Sequence, residues 1–188
     1  MEMNITFEEQ IERKQAIRRE VRSRIKELSA EAREAAAREI FGRVESTEIF
    51  VSARCVAVFA AMRDEVPTSE TLDRWLSVGK RVVVPRVEGE VMRFYDYSPE
   101  RMQSGAYGIA EPMGGDECNV ADIDLIIVPA RAFTVEGVRL GRGGGFYDKY
   151  MSLPGFRAHK IGIAFGCQIF DSLPTDKHDI LVDEVIFS

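Results

Sequence analysis

Apolar positions mark out the elements along the chain. Ile11, Ile17, Val21, Ile25 and Leu28 recur at spacings of three, four and six among charged residues, which predicts an amphipathic helix from about Phe7 to Leu28. Ser29, ahead of Ala30 and Glu31, reads as the N-cap of a second, Ala-rich helix running to about Val44. The continuous apolar run Cys55-Val-Ala-Val-Phe-Ala60 has the pattern of a buried strand. Thr68 to Val78 reads as a helix ended at Gly79. Arg81 to Pro85 reads as a strand stopped by its proline, and Val91 to Tyr97 alternates as a strand does. The Gly- and Pro-containing stretch from Gly105 to Asp122 is expected to be irregular. Asp124-Leu-Ile-Ile-Val128 is the clearest buried strand. Phe146 to Met151 opens a short helix, and Lys160 to Phe165 and Glu184 to Phe187 form the last strands.

Two helices followed by alternating strands and helices or loops imply a single α/β domain over residues 1–188. The expected form is a three-layer α/β/α sandwich with a largely parallel central sheet and the N-terminal helices packed on it. Ligands of such folds bind beyond the carboxyl ends of the strands, so the loops after Ala60, Pro85 and Val128 are the places to look.

Composition narrows the function. No stretch approaches the ~20 apolar residues of a membrane span, and the acidic start MEMNITFEEQ lacks the basic region of a secretory signal. Three separated cysteines without a CxxC pair suit a reducing compartment, so the expectation is a cytoplasmic monomer with no membrane partner. Two histidines make an all-His/Cys metal site improbable. A net charge of −6 argues against nucleic acid as a partner. An anionic ligand must therefore be gripped by local basic side chains and backbone N–H groups.

Arg139-Leu-Gly-Arg-Gly-Gly-Gly-Phe-Tyr-Asp148 supplies both. Successive glycines let several backbone N–H groups turn toward one anion, and the segment enters a helix whose N-terminus favours phosphate. Arg139 and Arg142 add guanidinium groups suited to phosphate oxygens. Asp148 follows as a hard oxygen ligand for Mg²⁺, which is usually held by one or two carboxylates plus substrate phosphates. The loop is not a Walker A element, because Phe146 stands after the last glycine. It is not a dinucleotide fingerprint either, because Phe146 replaces the final glycine of GxGxxG. A flexible surface loop with glycines for turns is the competing reading of these residues alone.

The loop resembles the glycine-rich motif of the 5-formyltetrahydrofolate cyclo-ligases, usually RLGxGGGYYDR. Further stretches resemble that family's pattern in the same order. They are Lys14-Gln-Ala-Ile-Arg18, Arg63-Asp-Glu-Val-Pro-Thr68, Val84-Pro-Arg86 and Gly108-Ile-Ala-Glu-Pro112. Asp124 to Pro129, Leu173-Pro-Thr-Asp-Lys-His-Asp179 and Val182-Asp-Glu-Val185 complete the series. Phe146 departs from the usual Tyr, Lys149 from the frequent Arg, and Pro129-Ala-Arg-Ala-Phe-Thr134 from the commoner PGxAFD, which leaves Thr134 without a ligand role.

The resemblance implies ATP-dependent closure of 5-formyltetrahydrofolate to 5,10-methenyltetrahydrofolate, with Mg²⁺, and with these two small molecules as the partners. It implies ATP contacts from Lys14, Gln15, Ala16, Ile17 and Arg18, and from Arg139, Leu140, Gly141, Arg142, Gly143, Gly144, Gly145, Phe146 and Tyr147. It implies that Ala60 and Glu65 hold the folate, with Arg142, Gly143, Gly144, Gly145 and Phe146 reaching it where formyl group and phosphate meet. A carboxylate such as Glu65 accepts two parallel hydrogen bonds from a 2-amino-pyrimidinone edge. Asp148 and Asp183 are implied as the Mg²⁺ ligands, and Arg142 and Asp148 as the catalytic pair. Met62, Phe94 and Tyr107 are candidate apolar walls, each more often core than ligand contact. His178 reads as a loop residue rather than a base, Trp75 as core, and Cys167 as no nucleophile. Two other readings stay open on the residues: another ATP-dependent small-molecule kinase or ligase, and a non-catalytic nucleotide- or folate-binding module.

Overall fold

The computed structural model of the protein describes residues 6–105 and 110–188. Its first helix, α1 (Phe7–Lys26), starts at a reciprocal cap in which the Thr6 side chain accepts from Glu9 N–H and the Glu9 carboxylate accepts from Thr6 N–H. Val21 and Ile25 of the expected apolar stripe are buried, whereas Ile11 is 40% exposed, so the stripe meets the core only from Ile17 onward. Ser29 caps α2 (Ala30–Glu45) by accepting from Ala32 N–H. A five-residue helix, α3 (Glu48–Ser52), follows and is too short to leave a periodic signal. The remaining helices are α4 (Ser69–Ser77) and α5 (Phe146–Met151).

Six strands form one sheet: β1 (Cys55–Ala57), β2 (Arg81–Glu88), β3 (Val91–Asp96), β6 (Leu125–Val128), β9 (His159–Ala164) and β10 (Glu184–Phe187). Their order is β10-β9-β6-β1-β2-β3, and every neighbouring pair is parallel except the antiparallel hairpin β2–β3 at one edge. Two small ribbons lie outside it, β4 (Met102–Ser104) with β5 (Ala110–Pro112) and β7 (Ala132–Phe133) with β8 (Arg139–Leu140).

Pro85 does not stop β2, as the sequence led us to expect. Strand β1 pairs only with Arg81 to Val83, so the proline lies past the parallel neighbour and faces β3 alone. There its missing N–H removes no bond from the parallel ladder. The expected loop after Pro85 is instead a continuing strand in which Arg86 stacks 3.9 Å over the Tyr95 ring.

Side-chain parity divides the core. Val56, Val58, Val82, Val84, Leu125, Ile127, Ile161 and Ile163 face one side, and α1, α2, α3 and α4 cover them with Val21, Ile25, Ile40, Phe41, Phe50 and Trp75. Trp75 packs with ring centroids 5.7 Å from Phe41 and 4.7 Å from Phe50, and its Nε1 donates to Glu45 at 2.7 Å. Ala57, Val83, Ile126, Val128 and Ala164 face the other side, where Tyr150 and Met151 of α5 cover them. Among the described residues the α/β/α sandwich is therefore lopsided, with α1 to α4 on one face and the short α5 on the other.

Candidate active site

The site lies beyond the carboxyl end of β1. Three residues past that strand, Ala60 enters a cleft of roughly 540 Å³ lined also by Arg33, Met62, Glu65, Leu72 and Tyr97, a size that suits a small heterocyclic ligand. The two residues expected to hold the folate, Ala60 and Glu65, thus share one wall. Thr68 stabilises the turn between them by accepting Ala61 N–H at 3.0 Å. Glu65 is 9% exposed. Its Oε2 accepts from Met62 N–H at 2.8 Å.

The glycine loop reaches the same carboxylate. Arg142 donates to Glu65 Oε1 from Nε at 3.0 Å and from Nη2 at 2.8 Å, and to Asp64 Oδ1 at 2.6 Å. Asp64 in turn accepts from Arg131, whose side chain is buried. Burial opposes the charge on Asp64, but the hydrogen bonds from Arg142 and Arg131 outweigh it and hold the carboxyl at about 2.

Loop conformation depends on its glycines in two specific places. Gly143 has φ 114°, in the left-handed range closed to most side chains. A Cβ on Gly144 would sit 2.7 Å from the Phe146 ring, so the aromatic ring folds back over a residue that must lack a side chain. Phe146 keeps its packing role in this way without the hydroxyl of the commoner Tyr. The helix that follows has only six residues, so its dipole contributes little at the loop.

Helix α1 crosses the loop from the other side. Arg18 Nε donates to the Gly141 carbonyl at 2.9 Å. Lys14 Nζ lies 2.6 Å from Asp176 and 3.5 Å from Asp179, in the loop before β10. Of the five α1 residues expected at the nucleotide, Lys14 and Arg18 are the two whose side chains reach across. Gln15 and Ala16 are exposed and Ile17 packs against the core. Arg139 and Leu140 form β8 and are buried. The Tyr147 hydroxyl is buried without a hydrogen-bond partner, and burial, with Glu65 nearby, pushes its pKa up.

The two expected Mg²⁺ ligands, Asp148 and Asp183, have separate hydrogen-bond partners in the structure. Asp148 Oδ1 accepts from Arg139 and, at 2.9 Å, from Ile180 N–H. Asp183 accepts from Lys160 N–H at 2.8 Å and Lys160 Nζ at 2.8 and 2.9 Å. Lys160 belongs to the amino-terminal end of β9, and Asp183 precedes β10, so this carboxylate joins the starts of two neighbouring strands. The two acids share no partner. No group of three or more His, Cys, Asp or Glu side chains suited to a metal occurs among the described residues.

Other residues singled out by sequence fall where the chemistry places them. Thr134 is buried in the β7–β8 turn and accepts from Val138 N–H at 3.3 Å, a turn role. Phe94 is core against Tyr150, His178 is exposed, and burial pushes the Cys167 thiol up. Tyr107, Gly108 and Ile109 lie outside the described residues. Asp64, Arg131, Asp176 and Asp179 were not anticipated. Arg131 carried a signal, a charged residue just past the most apolar strand of the chain; the others sit among charged neighbours that sequence does not rank.

Comparison with known proteins bears directly on this arrangement. Residues 10–188 match the model of the 5-formyltetrahydrofolate cyclo-ligase family. The 5-formyltetrahydrofolate cyclo-ligase of Mus musculus is 28% identical over 93% of either chain. The enzyme of that name from Escherichia coli K12 is 29% identical over 88% of this chain and 95% of its own. The solved structure of Aquifex aeolicus 5,10-methenyltetrahydrofolate synthetase superimposes with a TM-score of 0.83 at 33% identity, covering 93% of this chain and 89% of that one.

Proposed function

The chain belongs to the 5-formyltetrahydrofolate cyclo-ligase family and has that family's ligase activity with ATP as co-substrate; we propose how its residues divide the work. The pterin of 5-formyltetrahydrofolate lies in the cleft with its amino-pyrimidinone edge on Glu65, and ATP lies along the glycine loop. The observation that supports this reading is Arg142, which belongs to the loop and bonds to Glu65 in the cleft, so the two subsites meet at one side chain.

A formamide oxygen is a poor leaving group. The formyl oxygen attacks the γ-phosphorus, the bond to the ADP oxygen breaks, and the carbon becomes an activated iminium-like centre. N10 then attacks that carbon and loses its proton, the ring closes, and the C–O bond breaks to release phosphate. Such transfer is carried by positioning and charge stabilisation. Arg142 and the loop N–H groups stabilise the transferring phosphoryl group, and Lys14 and Arg18 hold the other phosphates from α1. No imidazole base is needed, in keeping with an exposed His178.

The donor set of Asp148 fits one Mg²⁺ only in part. Its hydrogen bonds fall on Oδ1, and a single carboxylate with substrate phosphates satisfies the usual preference of this ion. Asp148 would hold the ion, which would neutralise phosphate charge.

The test is direct. Purified protein with Mg-ATP and 5-formyltetrahydrofolate is expected to produce the near-UV absorbance of the methenyl product, with one ADP per turnover. Folded protein that gives no absorbance change refutes the reading.

A further inference from the structure

Glu65 cannot serve Arg142 and a pterin fully at once. Its Oε2 already takes the Met62 N–H, and its Oε1 takes two donors from Arg142. A pterin edge that donates in parallel needs both oxygens. Asp64 offers Arg142 a second carboxylate one residue away, at 2.6 Å. Asp64 itself is committed, because the Arg131 side chain is buried and Asp64 is its ion-pair partner. Withdrawing Asp64 would strand that charge.

We propose that Arg142 couples the two substrate sites by exchange. In the free protein it occupies the Glu65 oxygen that the pterin requires. Arrival of the nucleotide draws it to the phosphates, and arrival of the pterin displaces it from Glu65, with Asp64, anchored on Arg131, as the pivot that keeps the guanidinium between the subsites. Asp64 and Arg131 are thus positioning residues. This inference rests on the assignment of the pterin to Glu65 and ATP to the loop.

The physical consequence is reciprocal. Nucleotide phosphates draw Arg142 off Glu65 and so remove a competitor of the pterin. Linkage then requires folate to tighten nucleotide binding by the same factor. Arg142 never leaves both carboxylates unpaid for in charge, since Asp64 remains beside it.

The experiment measures dissociation constants by calorimetry for 5-formyltetrahydrofolate, alone and with the Mg²⁺ complex of a non-hydrolysable ATP analogue, and for that analogue with and without folate. Wild-type protein is expected to show mutual tightening of roughly fivefold or more, in the range of typical coupling. Arg142→Gln is expected to bind folate alone at least as tightly as wild type, with coupling reduced to within twofold of none. Asp64→Asn is expected to lose most of the coupling while still binding each ligand. A purely structural role for these residues would weaken both ligands and leave the factor intact. Wild-type coupling within twofold of none, or full coupling in Arg142→Gln, overturns the proposal. Should the variants fail to fold, the wild-type factor alone decides. Normal turnover without coupling sinks only this inference, whereas absence of folate binding and turnover sinks the functional reading beneath it.

Discussion

Arg139, at the base of the glycine loop, and Asp148, one turn into the helix after it, form an ion pair that closes the loop on itself. The Arg139 side chain is 3% exposed and that of Asp148 20% exposed, so the pair is largely withdrawn from water. Asp148 also accepts Ile180 N–H, which ties the loop to the segment leading into β10. One carboxylate thus shapes the loop that we propose holds the phosphates.

Asp148→Asn should therefore lose activity and stability together. Leaving Arg139 buried without its counter-ion is expected to cost about 3 kcal/mol, the lower end for broken buried pairs. Turnover should fall by orders of magnitude, and Mg²⁺ titration of the residual activity should shift to higher concentration. Activity close to wild type would remove Asp148 from the phosphate site; a large stability loss with unaltered Mg²⁺ dependence would leave it structural only.

Glu65→Ala is expected to act on the folate side. Loss of charge-assisted hydrogen bonds should raise the folate KM roughly tenfold to a hundredfold, with a much smaller change in the KM for ATP. Initial rates across both substrates separate the two, and an unchanged folate KM would reject the pterin assignment.

Lys14→Ala and Arg18→Ala should weaken the nucleotide instead. Each is expected to raise the KM for ATP roughly tenfold, with the folate KM little changed. Because Lys14 has an exposed partner in Asp176, its effect should shrink as salt is raised. Equal effects on both substrates would point to general disruption of α1.

Acid stability should report on Asp64. Its carboxyl is lowered from 3.8 to about 2 in the folded protein. A depressed carboxyl contributes stability that is fully present above the unfolded value and lost as pH falls through the folded one. The stability difference between wild type and Asp64→Asn is thus expected to be largest above pH 4 and to shrink between pH 4 and pH 2. Denaturant titrations at each pH measure it, and a difference independent of pH would contradict the Arg131–Asp64–Arg142 bridge.

Trp75 and His178 serve as contrasts. Trp75→Ala should destabilise by about 3–5 kcal/mol, as for other large-to-small core changes, while leaving both KM values of the folded fraction unchanged. His178→Ala should keep kcat within about twofold of wild type, since the proposed route needs no imidazole. A hundredfold loss of kcat would show that a proton-transfer role had been overlooked.

Local chemistry was legible in the letters. Ser29 caps α2, the apolar stripe of α1 buries Val21 and Ile25, and the runs at Cys55, Asp124, Lys160 and Glu184 became parallel strands. These follow from backbone hydrogen bonding and side-chain period, which act over a few residues. The glycine loop was legible for the same reason, because the freedom of Gly143 and the fold-back of Phe146 over Gly144 are near-neighbour effects. Resemblance to a family implied which loop, which acid and which strand-end residue belong together; in the structure Ala60 and Glu65 line one cleft, Arg142 bonds to Glu65, Arg18 bonds to Gly141, and Lys14 pairs with Asp176.

What sequence could not decide was the assignment of partners among charges. Asp148 and Asp183 carry the same side chain, yet one pairs with Arg139 and the other with Lys160. Asp64 and Arg131, 67 residues apart, meet only because parallel β1 and β6 deliver their following loops to the same edge. Pro85 ends no strand because its parallel neighbour has already stopped. Hydrophobic pattern has a period and so can be read in one dimension. Ion pairing has none: it depends on which strand ends the topology brings within a few ångströms, and that is settled only when the sheet is assembled.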